Sequence, residues 1–210
     1  MEKKPYFLYE RYPALKACEE AIEAAAAILN ETYRSGGTIY CCGNGGSAAD
    51  CEHIVGELMK GFLKKRPLSP EEKQRLKALG PEGERLAEQL QGAIPAVSLV
   101  NSAGLGTAFA NDVAPELVFA QQIYGLGKSG DALVAISTSG NSKNVILAIL
   151  AAKAKGVKVV GLTGESGGKM ASLCDCVVKA PSDSTPEIQE YHLPIYHYLC
   201  QKVEKDNFSE

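Results

Sequence analysis

The chain alternates short, continuously apolar runs with longer segments in which apolar residues recur at helical spacing. The apolar runs are TIYCCG, IPAVSLV, DALVAIS, VKVVGLTG and DCVVKAP. Each run has the length of a strand, and strands that are apolar on both faces are typical of a parallel sheet covered on both sides. The sequence therefore predicts an α/β fold: a three-layer αβα sandwich with a mostly parallel five-stranded sheet.

The segments around these strands predict helices. YPALKACEEAIEAAAAILNETYRSGG is typical of a long N-terminal helix, and TPEIQEYHLPIYHYLCQKVEKD of a last helix in which Pro194 introduces a kink. Glycines break the pattern after the second strand, so we expect a strand–loop segment there, leading into a helix at APELVFAQQIYGLG. Residues 64–92 are charged and punctuated by prolines, and we interpret them as a surface insertion in a single domain spanning 1–210.

Composition narrows the classes of function. The chain is 45% apolar and 22% charged with a formal net charge of −3, which favours a globular protein and gives no field that would attract nucleic acid or an anionic membrane. We find no apolar run long enough to span a bilayer and no signal peptide in MEKKPYFLYERYP, so we expect a cytoplasmic protein. The seven cysteines contain no C-x-x-C pair and are interpreted as reduced, mostly buried thiols.

The loop AISTSGNSKN follows a strand and opens a helix, and it is rich in hydroxyl groups. Gly140 allows a tight turn, and the start of the helix supplies free N–H groups and a partial positive charge. A phosphate dianion is the ligand this arrangement favours. The alternative, a serine cap in a polar turn, accounts for one hydroxyl but not for the four of Ser137, Thr138, Ser139 and Ser142.

A second loop, GNGGS, contains the dinucleotide-binding pattern G-x-G-x-x-A at residues 43–48. That pattern requires an acidic residue about twenty positions on, at the end of a strand, to hold the ribose. The corresponding region, FLKKRPLSP, is basic and is not a strand, and TGESGGKM does not match the phosphate-binding lysine loop. The sequence therefore predicts no nucleotide cofactor. A third loop, FANDVAPE, carries Asn111 and Asp112, for which an ordinary turn is an equally good interpretation.

Two of the three histidines suggest acid–base chemistry. His53 and Glu57 are four residues apart and share one helical face, which by itself also fits a surface ion pair. His192 and His197 lie on the last helix, where they could equally be core or interface histidines. A histidine beside a buried carboxylate is suited to proton exchange near neutral pH.

The segments GNGGSAADCEHIVGEL, AISTSGNSKNVI, LTGESGGKM and IQEYHLPIYH together resemble the sugar isomerase (SIS) domain family, with a flavodoxin-like fold, and most of all its phosphoheptose isomerases. The resemblance implies isomerisation of sedoheptulose 7-phosphate to D-glycero-D-manno-heptose 7-phosphate, with Glu57 as general base and His197 as its proton-transferring partner. It implies substrate contacts from the hydroxyl-rich loop and from Asn44, Gly45, Gly46, Ser47, Asn111, Asp112 and Gln189. In some members one zinc ion per site is bound by residues matching His53, Glu57, Gln189 and His197.

Three departures from the family pattern concern the substrate more than the reaction class. The 64–92 insertion is long, Lys60 and Gly61 stand where relatives commonly have Gly-Arg, and Pro186 and Glu187 replace an Asp-Arg pair. The alternatives are an isomerase for another phosphosugar, a non-catalytic phosphosugar-binding regulator, and an adaptor that associates with the replication initiator. The adaptor lacks the glutamate and the final histidine. Relatives build their sites between subunits, so we expect a homo-oligomer, a tetramer.

Overall fold

Five parallel strands form the centre of the fold in this computed structural model, which describes residues 7–208. Their order is β2-β1-β3-β4-β5, the flavodoxin-like order, and it confirms the predicted fold class. The strands are β1 Ile39–Cys42, β2 Ala96–Ser98, β3 Ala132–Ile136, β4 Lys158–Thr163 and β5 Cys176–Lys179.

Helices cover both faces of the sheet. They are α1 Leu8–Arg11, α2 Glu19–Arg34, α3 Gly46–Met59, α4 Pro70–Lys77, α5 Pro81–Gln89, α6 Ala103–Asp112, α7 Val118–Leu126, α8 Lys143–Ala154 and α9 Thr185–Asn207, with short 3₁₀ turns at Pro13–Cys18, Pro115–Leu117 and Lys169–Ser172. The N-terminal segment that the sequence predicts as one long helix is thus a 3₁₀ turn followed by α2. Pro13 starts that turn, where its missing N–H costs no helical hydrogen bond.

Strand β3 shows how the sheet holds its two helical layers. Ala132, Val134 and Ile136 face the cluster formed with α2, α3 and α9. Leu133 and Ala135 face the opposite cluster, with α7 and α8. Because successive side chains point to opposite faces, a strand buried on both sides has to be apolar throughout. Each fully buried Val, Leu or Ile contributes about 1.5–3 kcal/mol relative to exposure.

The direction of the chain reverses around β1. The chain passes from β1 to β2 on one side and then crosses to β3 on the other. In open α/β sheets, ligands bind at the carboxyl ends of the strands beside such a switch point. The loops that follow β1, β3 and β4 are residues 43–45, 137–142 and 164–168, and they lie at this edge.

The expectation of a strand–loop segment after β2 is wrong. Residues 103–112 form helix α6 in spite of two glycines, each of which costs about 1 kcal/mol relative to alanine in a helix. Thr107 Oγ1 donates to Ala103 O at 2.7 Å within this helix. None of the residues of α6 is buried, so core packing does not explain why this segment is helical.

The segment 64–92 contains the short helices α4 and α5. Helix α4 begins with a capping box, in which Ser69 Oγ accepts from Glu72 N and the Glu72 side chain accepts from Ser69 N. The interpretation of the whole segment as surface does not hold for Arg66, which is 1% exposed. Helix α9 continues through Pro194.

All seven cysteines are free, and all except Cys174 are buried, as the sequence predicts. Burial raises the pKa of these buried thiols, for example that of Cys42 to about 12, which makes them poor nucleophiles. Within residues 7–208, none of the helices combines the length and the apolar character that crossing a membrane would require.

Candidate active site

The glycine turn after β1 places the first turn of α3 against the last helix, α9. Ser47 N donates to Asn44 O at 3.0 Å and closes the turn, with Gly45 in the capping position. A Cβ atom at Gly46 would lie 2.5 Å from Gln189 Nε2. Only glycine therefore lets the amide of Gln189, on α9, pack directly on the first turn of α3.

The two histidines and the glutamate singled out from the sequence lie together. His53 and Glu57 share one face of α3, with Nε2 3.3 Å from Oε1. His197, on α9, brings its own Nε2 to within 3.4 Å of the same His53 nitrogen. His53 is exposed and His197 half-buried, while the Glu57 side chain keeps only 14% of its exposure. The structure therefore joins three groups that are far apart in the chain.

A cation lies directly on the glutamate. Lys60 Nζ donates to Glu57 Oε2 at 2.7 Å. This leaves Oε1 facing His53 and Oε2 facing the lysine. Because Lys60 and Gly61 stand where relatives commonly have Gly-Arg, the sequence suggests that an expected cation is displaced or lost. It gives no sign that Lys60 contacts Glu57, since that contact depends on how α3 ends at Lys60.

The protein environment lowers the pKa values of His197 and His192. Burial and the neighbouring His53 lower the pKa of His197, while Glu57 acts in the opposite direction. The net effect favours a neutral imidazole at His197, able to accept a proton. Burial lowers the pKa of His192 to about 4. That residue lies in the core with Nε2 3.3 Å from Thr163 O, so the interpretation as a core histidine is the right one for His192.

The hydroxyl-rich loop forms a tight turn at the N-terminus of α8. Ser137 Oγ and Ser142 Oγ are 2.9 Å apart, and Ser139 Oγ accepts from Asn141 N at 3.2 Å. Gly140 has φ +65, and a Cβ there would lie 2.2 Å from Gly167 O. The loop after β4 therefore packs against the backbone of this turn, which only glycine allows.

The same β4 loop also bonds the turn from its other side. Gly164 N donates to Thr138 O at 3.0 Å, and Met170 N donates to Gly140 O at 3.1 Å. Lys169 N donates to Asn141 Oδ1 at 3.0 Å. These bonds hold the turn in one conformation, and a turn of this kind at a helix N-terminus is suited to binding an anion.

Two asparagines, Asn44 and Asn144, join the glycine turn to the first turn of α8, directly after the hydroxyl-rich loop. Asn44 Nδ2 donates to Asn144 Oδ1 at 2.9 Å, and Asn144 Nδ2 donates back to Asn44 Oδ1 at 2.8 Å. This reciprocal pair connects the glycine turn before α3 with the first turn of α8, the helix that follows the hydroxyl-rich loop. Sequence reasoning missed Asn144, although it follows the serines within the quoted motif.

Asn111 and Asp112 are hydrogen-bonded to each other on a different helix. Both are exposed at the C-terminal end of α6, where Asn111 Nδ2 donates to Asp112 Oδ1 at 2.9 Å. Among the hydrogen bonds and ion pairs of the described residues, none joins them to Glu57, His197 or the serines. Their assignment as substrate-binding residues stays a prediction.

A carboxylate and an imidazole held close together can carry out proton transfer, and a hydroxyl-rich turn at a helix N-terminus can bind an anion. The chain also matches the model of the SIS domain over residues 12–91 and 88–164. It is 41% identical over 187 residues to a phosphoheptose isomerase of Rhodospirillum rubrum. The aligned residues cover 89% of this chain and 86% of the relative.

The chain belongs to the phosphoheptose isomerase family of SIS-domain proteins. Another member, from Aneurinibacillus thermoaerophilus, is 40% identical over 187 residues, covering 89% of this chain and 82% of the relative. The phosphoheptose isomerase structure from Neisseria gonorrhoeae superposes with a TM-score of 0.74 at 32% identity, over 93% of this chain and 91% of that one. These matches confirm the family that the motifs indicate.

Proposed function

We propose that the protein is an aldose–ketose isomerase that converts sedoheptulose 7-phosphate to D-glycero-D-manno-heptose 7-phosphate. The observation that carries the proposal is the convergence of Glu57 and His197 on His53, with contacts of 3.3 and 3.4 Å. The similarity to phosphoheptose isomerases of other organisms supports a phosphorylated heptose as the substrate. A regulator or an adaptor that only binds a phosphosugar does not require a carboxylate and an imidazole held together for proton transfer.

Glu57 acts as the general base. Its carboxylate removes a proton from the carbon beside the substrate's carbonyl, which gives an enediol, and returns the proton to the former carbonyl carbon. His197 moves the matching proton between the two oxygens, so the atoms balance and nothing is oxidised overall. Each such transfer contributes typically 10²–10⁴-fold.

The hydroxyls of Ser137, Thr138, Ser139 and Ser142, with the N-terminus of α8, hold the phosphate. This binding is remote from the reacting carbons, so its role is to orient them against Glu57. Further substrate contacts come from Asn44, Gly45, Gly46, Ser47, Asn111, Asp112 and Gln189.

Zinc fits the chemistry of the donor set, with His53, Glu57, Gln189 and His197 as ligands and one ion per site. Imidazole nitrogens and a carboxylate are ordinary zinc ligands. Three of these side chains lie together, with Glu57 Oε1 and His197 Nε2 at 3.3 and 3.4 Å from His53 Nε2, and they would hold the ion. However, no group of three or more His, Cys, Asp or Glu among residues 7–208 is arranged as a metal site. A bound zinc would polarise the substrate's carbonyl.

We further propose one domain over 1–210 with the insertion at 64–92, a cytoplasmic location, no nucleic-acid or membrane partner, and a homotetramer. Large apolar side chains are exposed on α7 and α8, namely Tyr124, Leu126 and Leu150. They offer an apolar surface to another copy of the chain. Sedimentation that shows only monomer at assay concentration would contradict the tetramer.

A substrate panel tests the proposed function. Purified protein is incubated with sedoheptulose 7-phosphate and with shorter phosphorylated ketoses, and aldose formation is followed by NMR. We expect turnover of the seven-carbon substrate above the others. Turnover of another ketose alone would indicate a different phosphosugar isomerase, and binding without turnover of any would favour the regulator or adaptor.

A further inference from the structure

Tyr196 lies directly beneath the two histidines of the site. It is 2% exposed, and its ring meets those of His53 and His197 edge-on, with centroids 5.4 and 5.2 Å away. Its hydroxyl is 2.9 Å from His53 Nδ1. It also donates to Asp50 Oδ1 at 3.2 Å, from the preceding turn of α3.

The direction of these hydrogen bonds follows from the protons available. A carboxylate only accepts, so the single phenolic proton goes to Asp50 and the hydroxyl accepts from His53 Nδ1–H. A neutral imidazole carries one N–H, which leaves a lone pair on His53 Nε2. That lone pair can accept from His197 Nε2–H at 3.4 Å, and the 3.3 Å contact with Glu57 Oε1 is then not a hydrogen bond.

We propose that Tyr196, held by Asp50, is a positioning residue that fixes His53 as the Nδ1–H tautomer with its Nε2 lone pair directed into the site. Its importance for turnover rests on the proposed function. An Nε2 lone pair is what either a metal or a mobile proton requires. Without the hydroxyl, His53 can place its proton on Nε2 and donate to Glu57, which would occupy the base.

The variant Tyr196→Phe removes one oxygen and keeps the ring. Tyr198→Phe is a matched control, because Tyr198 lies on the same helix and its hydroxyl donates to Glu23, which is not part of the site. Both are made in the full chain, treated with a chelator so that the ring nitrogens are free.

Nitrogen-15 NMR of the imidazoles, above their titration range, reads the tautomer directly. The three histidines can be assigned with the variant His53→Gln. We expect the Nδ1–H form at His53 in the unchanged chain and in Tyr198→Phe, and a shift toward Nε2–H in Tyr196→Phe. An unchanged tautomer in Tyr196→Phe would overturn the proposal.

Kinetics supply the second readout. Loss of a hydrogen-bond partner behind a site histidine typically costs about 10- to 100-fold. We expect that loss in kcat for Tyr196→Phe. KM should stay unchanged, because the hydroxyl-rich loop proposed to bind the phosphate does not contain Tyr196. A normal kcat in that variant would also overturn the proposal. An unchanged chain that does not turn over the heptulose phosphate would contradict the proposed function, while the NMR result would still decide the tautomer.

Discussion

Arg66 and Glu204 form a buried ion pair, Nε to Oε1 at 2.8 Å, that joins the end of the Glu57 helix to the His197 helix. Both side chains are at most 1% exposed. The guanidinium also donates to Leu58 O at 2.6 Å, at the C-terminal end of α3. Backbone N–H groups of residues 62–64 donate to the Glu204 carboxylate. The pair thus supplies hydrogen bonds to groups that neither helix satisfies alone.

Breaking this pair should destabilise the fold strongly. Arg66→Met or Glu204→Gln leaves an uncompensated charge or unpaired buried donors, which costs about 3–5 kcal/mol. Urea unfolding measures this loss. Lys158→Ala, which breaks an exposed pair with Asp175, should cost at most about 1 kcal/mol. Equal losses in the buried and exposed variants would contradict this account.

Arg66 also shows where sequence reasoning stops. Its neighbours, KKRP, are charged and follow a helix, so the pattern indicates surface. Only the fold reveals that Glu204, 138 residues away, accepts a hydrogen bond from Arg66 and balances its charge. Burial of an arginine depends on a partner, and local sequence does not contain the partner.

The sheet was predictable for the opposite reason. Strands such as β3 are buried on both faces, and such a strand has to be a continuous apolar run, which the sequence shows directly. Helix α6 was missed because its two glycines interrupt the helical pattern, and none of its residues is buried to leave an apolar face in the sequence. The Glu57, His53 and His197 cluster was suggested by motif resemblance, but the Lys60, Asn144 and Tyr196 contacts depend on side-chain positions that no spacing rule gives.

A methyl group at Gly46 tests the contact between α3 and Gln189. In Gly46→Ala the new Cβ meets Gln189 Nε2 at 2.5 Å, so the amide must move, and we expect weaker substrate binding and lower kcat/KM. Gly56→Ala is the matched control on the same helix, because nothing lies within 4 Å of its Cβ. It should raise stability by up to about 1 kcal/mol and leave turnover unchanged. Normal kcat/KM in Gly46→Ala would show that Gln189 has no role.

Ser137→Ala tests the phosphate turn. The change removes the hydroxyl that bonds Ser142 and one donor to the dianion. A hydrogen bond to a charged group is worth about 1.5–3 kcal/mol, so KM should rise roughly 10- to 100-fold, more than kcat falls. Ser172→Ala, on an exposed turn where the hydroxyl donates to Lys169 O, should have no effect. If both variants bind substrate normally, the turn does not hold the phosphate.

His192 should make the fold sensitive to mild acid. Its pKa falls from 6.5 in the unfolded chain to about 4 in the fold because burial disfavours the charged ring. The unfolded chain therefore binds more protons between these values, and stability falls as pH drops through that window. From about pH 7 to about pH 5 the loss is roughly 2 kcal/mol. Urea unfolding of His192→Gln should show that much less pH dependence, and an identical slope would contradict the assignment.

Proton exchange into sedoheptulose 7-phosphate in deuterated water, with Glu57→Gln, tests the central claim most directly. We expect the unchanged chain to incorporate deuterium at the carbon beside the carbonyl. Glu57→Gln should lose at least about 10²-fold of that rate while it still binds the sugar phosphate. Glu52→Gln, on the exposed side of the same helix where Glu52 accepts from Asn101, should exchange normally. Exchange at the original rate in Glu57→Gln would contradict the assignment of Glu57 as the base.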